Sequence, residues 1–359
     1  MRLAAPNPLK SYALLAFWVV NLVFLGGACA QATKSTTPQL VTEDYLIPAR
    51  DPGIQLYVRN KRPGGMTAFT HEKTLLFAHG ANDPAESVID LTLSSISWMD
   101  YIAQHGWDVW LVDIRGYGRS TRPPEMDRPA TGSPILTTNA ALQDLSAAVD
   151  HILKRREISK ITLMGWSRGC TLMATYTADN TEKVKRLVLY APPWVSKTAP
   201  PSGSRTPLPA YKSFTLEAAR ERWLKPVPER KRGELIPIGW FETWWAANLV
   251  SDPAGAKQSP PVFRSPNGWF QNPNEYLSAG KSFYYDPSKI TVPSLIVHAE
   301  WDDITPSYMA QEIFSGLTNV PYKRFVEIGE GTHFVHREKN RTQLFREVQL
   351  FLDEPHPVK

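Results

Sequence analysis

Ser167 lies between two glycines in the pattern Gly-x-Ser-x-Gly, which runs from Gly165 to Gly169. This spacing places a serine on a sharp turn between a strand and a helix, where its hydroxyl can attack a carbonyl carbon. The pattern also arises by chance, so its context decides. The apolar run 161–164 predicts a strand before it, and residues 170–178 predict a helix after it. We therefore interpret Ser167 as a nucleophile.

A serine nucleophile needs a base that takes its proton, and histidine is the usual choice. His333 lies in a glycine-rich loop after the predicted strand 325–328. His336 falls at the start of the last predicted helix, and His356 falls in a proline-rich tail. Loops that follow parallel strands gather at one edge of the sheet, where Ser167 is also expected. We predict that His333 is the base.

The base needs a carboxylate that orients its ring. Asp302 lies just past the predicted strand 294–298, with Asp303 as its nearest rival and Glu300 as the next. We predict that Asp302 orients His333, which gives a triad in the chain order Ser, Asp, His.

Acyl transfer also needs two hydrogen-bond donors for the negatively charged oxygen of the intermediate. One is the backbone amide of Arg168, at the start of the helix after the nucleophile. The other is expected in the segment HGAN (79–82), which follows the predicted strand 75–78. Ala81 is our candidate, and Asn82 is the second choice and a candidate substrate contact.

The elements that must position these residues alternate along the chain. Apolar, β-branched runs predict strands that are buried on both faces of a mostly parallel sheet. These runs are 54–58, 74–78, 107–114, 160–164, 184–190, 292–298 and 322–328. Three helices are predicted between or after these strands. The first is centred on Leu145, with Thr138 or Asn139 as its cap. The second is centred on Ile313, with Pro306 in its first turn, and the third is centred on Val348. Such alternation predicts βαβ units.

Residues 192–291 interrupt this alternation, since we find no convincing buried strand between 191 and 291. Short helices are predicted at 213–224, 239–249 and 273–279. We interpret this span as an insertion over the edge of the sheet. Three of its tryptophans are candidate substrate contacts: Trp240, Trp244 and Trp245.

Several segments together resemble the α/β-hydrolase family. They are HGAN (79–82), DIRGYGRS (113–120), GWSRG (165–169), AEWDDITP (299–306) and GEGTHF (329–334). The resemblance implies an α/β-hydrolase fold with a cap insertion of helices and loops. It also implies that the nucleophile, acid and base fall on Ser167, Asp302 and His333, and that 113–120 form a structural turn. Ala299 departs from the family, where a glycine usually begins the acid segment.

The N-terminus has the pattern of a secretory signal peptide. Arg2 and Lys10 precede the apolar run 12–25, and Ala28-Cys29-Ala30 forms a cleavage site before Gln31. We expect a secreted or periplasmic protein without stable membrane insertion after cleavage. An uncleaved anchor and a lipid-modified Cys29 are alternatives. The predicted organisation is a signal peptide at 1–30, a linker at 31–38, a first core part at 39–191, a cap at 192–291 and a second core part at 292–359.

Composition limits the choice of partners. The formal net charge is +5, and Lys and Arg are scattered, so we expect no nucleic-acid partner. Removal of the signal peptide leaves Cys170 as the sole cysteine, which excludes an intrachain disulfide. We predict no metal and no cofactor, and the oligomeric state is left open.

The predicted activity is hydrolysis of a small-molecule carboxylic ester or lactone by a serine esterase. The alternative is a serine aminopeptidase or amidase, which needs an acidic pair in the cap to hold the substrate's ammonium group. Candidates for that pair are Glu217, Glu221, Glu234 and Glu242. A non-catalytic binding protein of the same fold is the third possibility, although the triad is complete.

Overall fold

The computed structural model describes residues 38–195, 208–268 and 285–355. The predicted signal peptide, nearly all of the linker, His356 and the predicted helix 273–279 lie outside these ranges. No helix within the described ranges has the length and apolar character needed to cross a membrane.

The main sheet has eight strands in the order β1-β2-β4-β3-β5-β6-β9-β10. Their bounds are β1 Leu40–Pro48, β2 Gln55–Pro63, β3 Thr74–Ala78, β4 Asp108–Val112, β5 Ile161–Trp166, β6 Val184–Tyr190, β9 Ser294–Ala299 and β10 Lys323–Ile328. β1 and β2 are antiparallel to each other, and β2 is antiparallel to β4. Every other pair is parallel. The predicted α/β class and mostly parallel sheet are confirmed.

Ten α-helices lie in the described ranges. They are α1 Glu86–Ile89, α2 Trp98–Gln104, α3 Thr138–Arg156, α4 Arg168–Asp179, α5 Leu216–Leu224, α6 Arg232–Leu235, α7 Trp240–Ser251, α8 Pro253–Ala256, α9 Ser307–Gly316 and α10 Arg341–Asp353. The expected cap of α3 was wrong by one residue. Thr137 occupies that position, because its side chain accepts a hydrogen bond from the amide of Ala140. Pro306 likewise occupies the capping position of α9 rather than its first turn.

Both faces of the sheet are covered, and β3 shows how. Alternate side chains of a strand point to opposite faces. Leu75 and Phe77 pack in a cluster with α2 and α10, whereas Leu76 and Ala78 pack with α3, α4 and α9. This double burial explains why every residue of the strand is apolar or β-branched.

The insertion between β6 and β9 contains strands that the sequence did not indicate. β7 (Tyr211–Phe214) and β8 (Phe263–Pro266) form an antiparallel ribbon. The helix expected at 213–224 therefore begins later, at Leu216, where the Thr215 side chain accepts a hydrogen bond from the amide of Ala218. α7 agrees with the helix expected at 239–249 to within two residues at either end.

Candidate active site

Ser167 occupies the turn between the last residue of β5 and the first residue of α4. Its backbone has φ 54° and ψ −124°, a conformation that L-residues adopt rarely and that concentrates at functional sites. The turn brings helix and strand together at the two flanking glycines. A Cβ on Gly165 would lie 2.5 Å from the carbonyl carbon of Gly169, and a Cβ on Gly169 would overlap the carbonyl oxygen of Ala78. Both positions therefore require glycine.

Asp302 and His333 are joined by a hydrogen bond of 2.8 Å between Oδ2 and Nδ1. Both side chains are almost fully buried. The other carboxylate oxygen, Oδ1, accepts hydrogen bonds from the amides of Ile304 and Thr305 at 3.0 and 2.8 Å. The Thr305 hydroxyl donates to Oδ2 at 2.7 Å. Four donors thus hold the carboxylate in one orientation toward the imidazole.

The pKa of Asp302 reflects two opposing effects. Burial alone would raise it, because the charged form loses solvation. The charge of a protonated His333 ring and the hydrogen bonds from His333 and Thr305 outweigh burial and hold the pKa below its usual value. Asp302 is therefore ionised at neutral pH, as a residue that orients a histidine must be.

The carbonyl group of His333 is bound by the last residues of β5 and β6. The indole Nε1 of Trp166 and the hydroxyl of Tyr190 each donate to the His333 carbonyl oxygen at 3.0 Å. The rings of Trp166 and His333 also lie 5.3 Å apart between centroids. Ser167, the next residue after Trp166, and the Asp302–His333 pair thus lie at the same edge of the sheet.

The rival residues have other contacts. Asp303 is 40% exposed and lies 3.8 Å from the Lys225 ammonium. Glu300 accepts a hydrogen bond from the amide of Glu330 at 2.8 Å. His336 lies in a short 3₁₀ turn, Val335–Arg337, and not in α10 as expected. Neither acidic rival makes a hydrogen bond to His333 in the described part of the chain.

The loop after β3 lies against the turn between β5 and α4 that carries Ser167, which we call the elbow. A Cβ on Gly80 would be 3.0 Å from the Trp166 ring. Nε2 of the buried His79 accepts from the amide of Ile114 at 3.1 Å, so Nδ1 carries the proton and donates to the Gly80 carbonyl at 2.7 Å. Burial lowers the pKa of His79 to about 4, which keeps this ring neutral.

Ala81 is positioned through its carbonyl group. The hydroxyl of Tyr117 donates to that oxygen at 2.6 Å. Across the described ranges, no acceptor is bound to the Ala81 amide. Asn82 follows and is 8% exposed, with its Oδ1 buried and unpaired among the described residues. An amide that has no protein acceptor is suited to stabilise a developing oxyanion.

The segment 113–120 forms a tight turn that supports this loop. The carboxylate of Asp113 accepts from the amides of Ala85 and Arg119 at 2.8 and 3.2 Å. Burial raises the pKa of Asp113 to about 6. Gly118 has φ +51°, and a Cβ there would overlap the Asp113 carboxylate. Tyr117 lies in this turn, which connects it to Ala81.

The three tryptophans of α7 have different surroundings. Trp240 is partly exposed, and the guanidinium of Arg341 lies 4.5 Å from its ring. Trp244 and Trp245 are buried and pack on the Phe263 ring of the ribbon. None of the three has a ring contact with His333 in the described part of the chain, and their role toward a substrate stays a prediction.

The acidic pair that an aminopeptidase needs is not found among the candidates. Glu217, Glu221, Glu234 and Glu242 are all exposed. Glu242 pairs with Arg220 on the surface at 2.6 Å. In the residues that the structure describes, no group of three or more His, Cys, Asp or Glu side chains is arranged to hold a metal.

Three charged residues near the site were missed by sequence reasoning. Arg337 is 2% exposed and pairs with Asp83 at 3.3 Å, while its guanidinium lies 4.3 Å from the Trp244 ring. Glu338 is fully buried below the His333 loop. Arg222 lies over the ring of Phe334. A charged residue just past a loop or on a cap helix is usually on the surface, so no sequence signal distinguished these three.

Comparisons with known proteins agree with this architecture. The sequence model of the alpha/beta hydrolase fold matches residues 73–340. A non-heme chloroperoxidase from Streptomyces lividans is 24% identical over 260 residues, which cover 68% of this chain and 84% of that protein.

Two solved structures are similar over most of the chain. A thioesterase domain from the curacin biosynthetic pathway has a TM-score of 0.55 at 16% identity and covers 87% of this chain and 99% of its own. An esterase from Exiguobacterium antarcticum has a TM-score of 0.53 at 18% identity, with 87% and 100% covered. At these identities the likeness establishes the fold.

Proposed function

The chain belongs to the α/β-hydrolase fold family, and on that premise we propose that it is a serine hydrolase that cleaves a carboxylic ester or lactone through an acyl-enzyme intermediate. The observation that carries this proposal is the buried Asp302–His333 hydrogen bond at the sheet edge where the strained Ser167 turn lies. These are the three residue types that acyl transfer requires.

The residues would act in the following order. His333 takes the proton of the Ser167 hydroxyl as its oxygen attacks the substrate carbonyl. Asp302, bound to Nδ1, orients the ring and stabilises the imidazolium that forms. His333 then gives the proton to the leaving alcohol. A water molecule, activated by the same histidine, releases the acid and restores the Ser167 hydroxyl.

The backbone amides of Ala81 and Arg168 would hold the oxyanion of each tetrahedral intermediate. The start of α4 supports this role, because the positive end of the helix dipole favours negative charge there. Removal of one donor of this kind commonly costs about 100-fold to 1,000-fold in turnover.

One assay tests the activity. The wild-type protein should hydrolyse a para-nitrophenyl acyl ester, and Ser167→Ala should lose several orders of magnitude in turnover while its melting temperature stays unchanged. A phosphonate directed at serine nucleophiles should add its mass to the wild type and not to Ser167→Ala. A variant that keeps a tenth of the activity would refute Ser167 as the nucleophile.

We also propose export, on the N-terminal sequence alone. Production of the full chain in a bacterial host should release a protein outside the cytoplasm that begins at Gln31. A product that keeps residues 1–30 would instead support the uncleaved anchor.

A further inference from the structure

The guanidinium of Arg222 lies against the aromatic ring of Phe334, the residue that follows the proposed base. Arg222 lies on α5 and is partly buried. Its guanidinium carbon is 5.9 Å from the ring centre of Phe214 and 5.6 Å from that of Phe334. Phe334 follows His333 directly, and their ring centres are 5.4 Å apart. The guanidinium and the imidazole therefore both lie against the same aromatic ring.

Apart from these two aromatic contacts, the guanidinium makes neither a hydrogen bond nor an ion pair with any described residue. Three carboxylates interact with its charge over a longer range. Each of them already has a nearer partner: Asp302 binds His333 at 2.8 Å, Asp83 binds Arg337 at 3.3 Å, and Asp303 lies 3.8 Å from Lys225. Burial also lowers the pKa of Arg222.

Two further basic residues are relevant, one near Arg222 and one next to Ser167. The ammonium of Lys212 is 5.2 Å from the ring centre of Phe214, the ring that Arg222 also covers. Arg168 directly follows Ser167. Burial lowers the pKa of Lys212 well below its usual value, and the charges of Arg222 and Arg168 lower it further.

We propose that the guanidinium of Arg222 binds an anionic group carried by the substrate, so that the preferred substrates are esters with a free carboxylate. The inference rests on the proposed function, because it specifies the substrate of that site. A planar guanidinium can donate two parallel hydrogen bonds to a carboxylate. A partly buried charge that lacks an anionic partner is costly, and a bound anion would reduce that cost.

Kinetics with matched substrates test the proposal. One pair is para-acetoxybenzoate and its methyl ester, which carry or mask the acid on the alcohol half. The other pair is para-nitrophenyl hemisuccinate and its methyl ester, which do the same on the acyl half. The wild type should prefer the free acid in one of the pairs, and that pair identifies the half of the substrate that Arg222 contacts.

The variants give the decisive comparison. Arg222→Gln should reduce the kcat/KM ratio of free acid to methyl ester by about ten-fold or more, the range expected for a hydrogen bond to a charged group. Arg222→Lys should recover part of the preference. The matched control is Arg220→Gln on the same helix, where Arg220 pairs with Glu242 on the surface and the ratio should not change. Equal ratios in the wild type and Arg222→Gln would overturn the proposal.

A binding experiment separates this inference from the proposed function. Calorimetry on Ser167→Ala needs no turnover and uses both free acids, para-acetoxybenzoate and para-nitrophenyl hemisuccinate. At least one of the two should bind, and this binding should be lost in the double variant Ser167→Ala/Arg222→Gln, whereas the matching methyl ester should bind both proteins alike. A protein that binds the anion through Arg222 but hydrolyses no ester would refute the hydrolase assignment and support the anion site. Absence of anion binding to Ser167→Ala would refute the anion site.

The effect of salt tests the charge without a substitution of Arg222, so the test still works if Arg222→Gln fails to fold. High salt screens a charge that keeps some solvent contact. Binding of the free acid that Ser167→Ala binds should weaken as sodium chloride is raised, while binding of its methyl ester should not. Equal salt dependence for both ligands would contradict a role for the charge.

Discussion

The carboxylate of Glu338 accepts hydrogen bonds from both the amide and the hydroxyl of Thr332, the residue that precedes His333. The indole of Trp223, on α5 of the cap, donates to the same carboxylate at 2.6 Å. Glu338 is fully buried, and among the described residues no hydrogen bond joins it to the His333 ring. It is a positioning residue that ties the histidine loop to the cap.

The titration of Glu338 should make the free energy of unfolding depend on pH. Burial raises its pKa to about 7, although hydrogen bonds from Thr332 and Trp223 act in the opposite direction. A pKa that is higher in the folded state contributes stability at low pH, and this is lost as pH rises from about 4.5 through about 7. We expect that loss to reach at most about 3 kcal/mol of unfolding free energy.

Glu338→Gln should remove that pH dependence. In either orientation of the glutamine amide, its NH₂ faces an N–H donor, that of the Thr332 backbone or that of the Trp223 indole, which should cost about 1–3 kcal/mol. Urea unfolding of both proteins at about pH 5 and pH 8 measures the two effects, and kcat should fall because the His333 loop shifts. Parallel pH profiles for the two proteins would show that Glu338 does not titrate in this range.

Asp302 and Asp303 are adjacent in sequence but differ in surroundings, which gives a matched pair of substitutions. Asp302→Asn should reduce kcat by about 10⁴-fold, because an amide no longer fixes the His333 tautomer. Asp303→Asn should stay within about two-fold, since its 3.8 Å contact with Lys225 is exposed. Steady-state kinetics of both variants with a neutral ester measures the two effects. A larger loss of kcat in Asp303→Asn than in Asp302→Asn would exclude Asp302 as the acid.

The buried parallel strands could be predicted because local sequence determines them. The run 74–78 matches β3 at both ends, since every side chain is apolar or β-branched. β1 was missed because it lies at the edge of the sheet and pairs on one side only. Most of its side chains are exposed or half-buried, and they include charged residues, so no continuous apolar run marks the strand. The ribbon of β7 and β8 was missed because four-residue strands carry too few side chains for a period to be visible.

The candidate site was predictable because each of its three residues follows the end of a strand. Ser167, Asp302 and His333 follow β5, β9 and β10, so their proximity follows from a parallel sheet. Contacts across the chain gave no such signal. The hydrogen bond from Trp223 to Glu338 joins residues 115 positions apart, and nothing in either segment indicates the other.

Gly169 should tolerate no side chain. A Cβ there would overlap the carbonyl oxygen of Ala78 and lie 2.7 Å from that of His79, and both are backbone atoms that cannot move aside. Gly169→Ala should lower the free energy of unfolding by about 3 kcal/mol and reduce turnover, because α4 must shift away from β3. The matched control is Gly233→Ala in α6, where no atom lies within 4 Å. The control should raise stability by up to about 1 kcal/mol. Equal urea midpoints for the two variants would contradict the close packing.

Trp244 is the tryptophan of α7 that we expect to influence the substrate. Its ring lies 4.3 Å from the guanidinium of Arg337, which itself lies 5.7 Å from the ring of Trp166 beside Ser167. Trp244→Phe keeps an aromatic ring for the packing on Phe263 but reduces the apolar surface near the elbow.

The variant should therefore raise KM for a bulky aromatic ester several-fold more than for an acetate ester. Trp240→Phe is the control, since Trp240 is partly exposed and stacks with Arg341. It should leave the ratio of the two KM values unchanged. If Trp244→Phe changes both KM values equally and lowers the melting temperature, Trp244 serves in packing alone, and the search for a pocket-lining tryptophan moves to Trp245.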